Sequence, residues 1–125
     1  MKQVVLDSGF LIALERRDPR AYQVQELLYE ASAVAHVSAG VLAQVWRGDP
    51  RQQVIAKLLK FKGVLAHPLD PGSARRVGAL LARSGTSDVV DGHVALLAAE
   101  LNATVLTSDP DDIGKLDPTL RIVRV

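Results

Sequence analysis

Short apolar runs alternate with stretches of helical spacing along the whole chain, each run closed by polar or turn-forming residues. Val4, Val5 and Leu6 form the first run, ended by Asp7, after which Leu11, Ile12 and Leu14 recur at helical intervals. The pattern predicts a second helix from about Arg20 to Ala31, carrying Val24, Leu27 and Leu28, and a second strand over "AVAHVS". Helices are predicted from about Ala39 to Arg47 and from Pro50 to Lys60. A short third strand, "VLAHPL", follows and is closed by the turn signal "DPG" at Asp70 to Gly72. Two more helices, from about Ser73 to Arg83 and from Asp88 to Leu101, lead to the strands "TVLT" and "RIVRV". Five strands alternating with helices, with no repeat or linker, predict one α/β domain over residues 1–125 built on a parallel, helix-covered sheet.

Composition narrows the picture. A chain of 125 residues, 48% of them hydrophobic, is long enough for one layered core. The run from Val94 to Ala99 is bounded by His93 and Glu100, far short of the roughly 20 residues of a membrane span. The first residues superficially resemble a secretion signal, but Asp7 splits their apolar part and no small-residue cleavage site follows. The expectation is a cytosolic (cytoplasmic) chain that engages no membrane. The lack of cysteine excludes disulfides, thiolate metal sites and cysteine nucleophiles.

Charge is distributed unevenly beneath a net value of +1. Arg47 to Lys62 carries five basic residues against Asp49, whereas Thr86 to Asp117 carries seven acids against Lys115. A polyanionic substrate on the first segment and a cation on the second suit that distribution. The plain alternative for the basic run is the solvated face of a helix.

Open α/β sheets bind ligands beyond the carboxyl ends of their strands, where strand order reverses. Asp7 ends the first predicted strand and Asp109 lies two residues past the fourth, so neighbouring strands would bring both carboxylates to one crevice. Each acid also has a structural use. Asp7 or Ser8 can cap the first helix, Asp88 can cap its own, and Asp109 before Pro110 makes a good cap. Capping leaves Asp91 poorly explained, because its helix is apolar almost all round and Asp91 shares a face with Ala95 and Ala98. A carboxylate among such residues is costly without a cationic or hydrogen-bonding partner. Since no Lys or Arg occurs from Ser84 to Gly114, a metal ion fits that role. Oxygen donors favour Mg²⁺ or Mn²⁺ over zinc. His36, His67 and His93 form no ligand cluster by spacing and are assigned structural roles.

The segments "VVLDSGFLIAL", "VSAGVLAQVWRG" and "DGHVALLAAELNATVLTSDPDD" together resemble a PIN domain, in particular the VapC-type toxins of type II toxin-antitoxin pairs. The resemblance spans essentially the whole chain. It implies a three-layer α/β/α sandwich with a parallel sheet of strand order 3-2-1-4-5. It also implies a metal-dependent endoribonuclease leaving 5′-phosphate ends, held as a homodimer and inhibited by a cognate antitoxin protein. Carried over by position, the metal-site acids fall on Asp7, Asp91 and Asp109, with Thr107 as the hydroxyl that orders the site. The fourth family acid, a glutamate, falls on Gln44. Glutamine keeps a carbonyl donor but loses the charge and cannot act as a base. Either three carboxylates suffice, or Asp88 or Asp111 compensates, or the domain has become a non-catalytic binder of RNA or of a partner protein. Arg47, Arg51 and Lys57 are the candidates for RNA-backbone contacts, which give affinity with little base information. With only five aromatic residues, extensive base stacking is not expected.

Overall fold

The computed structural model describes residues 2–125. Strand β1 (Gln3–Leu6) leads through α1 (Ser8–Glu15) and α2 (Pro19–Glu30) to β2 (Val34–Ser38). Helix α3 (Ala39–Val45), a 3-10 turn (Pro50–Gln52) and α4 (Gln53–Leu59) then reach β3 (Val64–His67). Helices α5 (Pro71–Ser84) and α6 (Val89–Leu101) carry the chain back to β4 (Thr104–Thr107), and α7 (Pro110–Leu116) precedes β5 (Ile122–Arg124). All strands are parallel, in the order β3-β2-β1-β4-β5. This is the α/β fold and strand order expected of a PIN-like chain.

The order follows from connection handedness. Right-handed crossovers stepping from β1 to β2 to β3 place α1 to α4 on one face, and the return from β3 to β4 places α5 and α6 on the other. Consistent with that, α1 packs with α2, α3 and α4, while α5, α6 and α7 pack among themselves. The central strands are covered on both faces, which is why β1 and β4 read as unbroken apolar runs. Val4, Val5, Val105 and Leu106 are fully buried in a core shared with Phe10, Leu11 and Leu14 of α1 and Val94 of α6.

Two elements depart from the predicted pattern. The helix expected from Pro50 opens as a 3-10 turn, because Asp49 caps Arg51 N–H there at 2.8 Å and Gln52 turns inward to the Val45 carbonyl. Helix α7 was not predicted as an element, since its seven residues carry only Ile113 and Leu116 as buried apolar positions.

Candidate metal centre

Strand pairing sets the site. Leu6 is in register with Leu106, and the Asp7 backbone N–H donates to the Leu106 carbonyl at 3.0 Å, so Asp7 and Thr107 leave the sheet side by side. Asp7 is buried, and both of its oxygens are held. Oδ1 accepts from Ser8 N–H at 2.8 Å as the cap of α1, and Oδ2 accepts from the Thr107 hydroxyl at 2.7 Å. Thr107 Oγ1 in turn accepts the Asp109 N–H at 2.9 Å, so one buried hydroxyl ties two of the predicted acids together. The capping alternative holds for Asp7 and also for Asp88, whose Oδ1 accepts Asp91 N–H at 2.9 Å. It does not hold for Asp109. With φ −122° and ψ 64° its side chain makes no cap bond to α7, and its carboxylate remains available.

Asp91 lies half-buried in the first turn of α6. Its carboxyl is pushed up to about 6, first by burial and then by the negative charges of Asp88, Asp7, Asp112 and Asp109. The charges of Asp88, Asp7, Asp112 and Asp109 thus all reach Asp91 across the crevice. Asp111, the other proposed compensating acid, is exposed on α7 and is not among the charges that act on Asp91. Its neighbour Asp112 is, and the sequence reading had missed it. The signal was its place three residues after Asp109 on an unpredicted helix.

Gln44 is exposed in the last turn of α3. The first turns of α3 and α6 meet where a Cβ at Gly40 would lie 3.1 Å from Val90, and Gly40 and Gln44 share a helix face at a spacing of four. Ser38 fastens this junction. Its hydroxyl accepts Gly40 N–H at 3.1 Å and bonds His93 Nδ1 of α6 at 2.7 Å. The other two histidines also have structural partners, His36 lying between His67 Nε2 at 2.7 Å and Gln3 Oε1 at 2.6 Å. Burial holds both His36 and His93 below the usual imidazole range, with the charge of His67 adding to it in each case.

The donor set fits a hard divalent cation. The converging side chains are carboxylates and a hydroxyl, and among the described residues the only ion pairs are Arg51 with Asp49 and Arg76 with Glu100, so none of these acids is neutralised by a basic side chain. Among the described residues no three His, Asp or Glu side chains stand close enough together to grip an ion.

The metal-free protein offers a test of this crowding. A carboxyl raised in the folded state favours folding when protonated, so its contribution is fully present below the unfolded value of about 3.8 and is lost as pH rises through about 6. His36 and His93 work in the opposite sense, because their lowered values cost stability as pH falls below 6.5. Comparing Asp91→Asn with the parent cancels the histidines. In chelator, the variant should be more stable above pH 6, by roughly 1–2 kcal/mol once solvent screening of the half-exposed carboxyl is allowed for, and the gap should close towards pH 4. A denaturant melt of both proteins at each pH measures it. Destabilisation of Asp91→Asn at pH 7 would assign Asp91 a structural role instead.

The basic residues divide. The Arg47 guanidinium folds back on the carbonyls of Ala43 and Trp46, at 3.1 and 2.7 Å, and closes the end of α3. Arg51 and Lys57 instead line a groove of about 350 Å³ together with Arg17 and Tyr22, which the sequence reading had not singled out. Arg17 follows the end of α1, a helix of eight residues and therefore about 12 Å long, so the groove lies well away from Asp7 at the helix start.

The chain is similar to known proteins over almost its whole length. The family model described as the PIN domain matches residues 4–117. Among solved structures, VapBC from Salmonella typhimurium bound to DNA is 20% identical, with a TM-score of 0.71 over 99% of this chain and 98% of that one. VapBC2 from Rickettsia felis, bound to a DNA fragment from their promoter, is 16% identical, with a TM-score of 0.71 over 98% of each chain. VapC20 of Mycobacterium tuberculosis, a sarcin-ricin loop cleaving toxin, is 16% identical, with a TM-score of 0.61 over 82% of this chain and 86% of that one. No curated protein sequence matches the chain at a significant level.

Proposed function

The chain belongs to the PIN-domain family, and on that footing we propose that it is a metal-dependent endoribonuclease of the VapC type, a toxin neutralised by a cognate antitoxin. The observation that carries this reading is that the Thr107 hydroxyl joins the Asp7 carboxylate to the Asp109 backbone while the charges of Asp7 and Asp109 reach half-buried Asp91, with no basic side chain among the described residues paired to any of the three. Mg²⁺ or Mn²⁺ held there would supply a Lewis acid for the phosphodiester and a water of lowered pKa. Asp7, Asp91 and Asp109 would hold it, largely through water, with Asp88 and Asp112 adding negative charge nearby. Thr107 keeps Asp7 and the Asp109 backbone in place. The carboxylates anchor the ion and can assist removal of a proton from the attacking water. Exposed apolar side chains, Trp46, Phe61, Leu65 and Val89 among them, support contacts with protein partners, the antitoxin and a second copy of the chain.

The test is incubation of the protein with cellular RNA and sequencing of the new ends. Discrete cuts with 5′-phosphates, lost on chelation and restored by Mg²⁺ or Mn²⁺, are the expected outcome. RNA binding without cleavage would favour the non-catalytic reading, for which the Gln44 replacement is the specific ground.

Two variants examine parts of the proposal. Gln44→Glu should tighten Mg²⁺ binding, by roughly tenfold or less, because a further carboxylate adds attraction in a partly desolvated crevice. Equal calorimetric affinity in the two proteins would put residue 44 outside the site. Charge reversal at Arg51 and Lys57 should weaken RNA binding and flatten its salt dependence, since fewer counterions are released, with metal affinity unchanged. An unaltered salt slope would move the RNA path elsewhere, with Arg75, Arg76 and Arg83 next in line.

A further inference from the structure

The turn after β4 lies so close to the first turn of α1 that residue 9 has no room for a side chain. A Cβ at Gly9 would fall on the Ser108 hydroxyl, 2.8 Å from Ser108 Cβ and 3.2 Å from the Ser108 backbone nitrogen. Rotation of the serine can move its hydroxyl, but its Cβ and nitrogen move only with the backbone. Gly9 is not in the left-handed region, and alanine adopts a helical conformation at lower cost. What the position uses is therefore the missing side chain and not backbone freedom.

The two segments that meet here carry the carboxylates. Gly9 is two residues from Asp7, whose oxygens take Ser8 N–H and the Thr107 hydroxyl. Ser108 sits between Thr107 and Asp109, which are joined by the 2.9 Å bond from Asp109 N–H to Thr107 Oγ1. On the reading above that these acids hold a cation, we propose that Gly9 is a positioning residue of the metal centre. Its close approach to Ser108 sets the separation of Asp7 from Asp109. A methyl group at residue 9 would push the segment from Thr107 to Asp109 outward, away from Asp7, without touching any ligand.

The pair offers its own rescue, because Ser108→Gly removes the Cβ and hydroxyl that a methyl at residue 9 would strike. The experiment compares wild type, Gly9→Ala, Ser108→Gly and the double variant by calorimetric titration with Mn²⁺, thermal unfolding in chelator, and RNA cleavage. Gly9→Ala should weaken Mn²⁺ binding by about tenfold and lower kcat with little change in KM, the behaviour of a misplaced ligand set. Ser108→Gly alone should stay within about twofold of wild type, and the double variant should recover most of the lost affinity. Unchanged affinity in Gly9→Ala, or no recovery in the double variant, would overturn the inference. So would a Gly9→Ala protein that fails to fold and a double variant that regains fold without metal affinity. Wild type that binds no divalent cation would overturn this inference and the proposed function together. Metal affinity that falls and recovers as described, in a protein that cuts no RNA, would sink only the nuclease reading.

Discussion

Replacing any one of Asp7, Asp91 or Asp109 by asparagine should reduce RNA cleavage by at least about a hundredfold and weaken divalent-cation binding, as expected when a group acting directly at the reacting centre is lost. The three variants should differ in stability. Asp91→Asn relieves a crowded carboxylate, and Asp109→Asn alters one that makes no cap bond, so neither should destabilise the metal-free fold. Asp7 is different, because both of its oxygens accept hydrogen bonds in a buried position. An amide has one acceptor oxygen, so Asp7→Asn turns an N–H donor towards Ser8 or Thr107 and should cost about 1–3 kcal/mol. Cleavage rates read beside melting curves separate the two effects. Activity kept in all three variants would remove the carboxylates from the chemistry.

The next largest effect is expected at Thr107. Valine matches threonine in shape, yet Thr107→Val removes the donor to Asp7 Oδ2 and the acceptor for Asp109 N–H at once, at a fully buried position. Stability should fall by about 1–3 kcal/mol and activity by roughly 10–100-fold, because the fold and the placing of the ligands depend on the same hydroxyl. Thr107→Ser keeps the hydroxyl and should recover most of the activity. Equal loss in the serine and valine variants would mean that packing of the methyl group, and not the hydrogen bonds, is what the position supplies.

What the sequence disclosed depended on how locally each feature is encoded. Val4 to Leu6 and Val105 to Leu106 are buried on both faces of a central sheet, so their strands stand out as apolar runs. Asp7 and Asp109 were legible because a strand end can be read from the chain, and strand adjacency then carries them together. Helix α7 was missed because about two turns with two buried residues have too few positions to show a period. With the helix went Asp112. The cap at Asp109 is absent where the Thr107 hydroxyl, itself held by Asp7 of the neighbouring strand end, accepts the Asp109 N–H and fixes its backbone. Arg17 joins Arg51 and Lys57 only because α1, α2 and α4 converge, and Gly9 matters only because the turn after β4 leans on it. Neither relation has a trace in local composition.

The most direct measurement is a Mn²⁺ titration of wild type and Asp91→Asn by calorimetry, run beside cleavage of one defined RNA over the same metal concentrations. Cleavage by wild type should follow saturation of the metal site, and the variant should bind the ion weakly and cut little. RNA cut equally fast in chelator, or a variant that binds and cuts as wild type does, would contradict the proposed function.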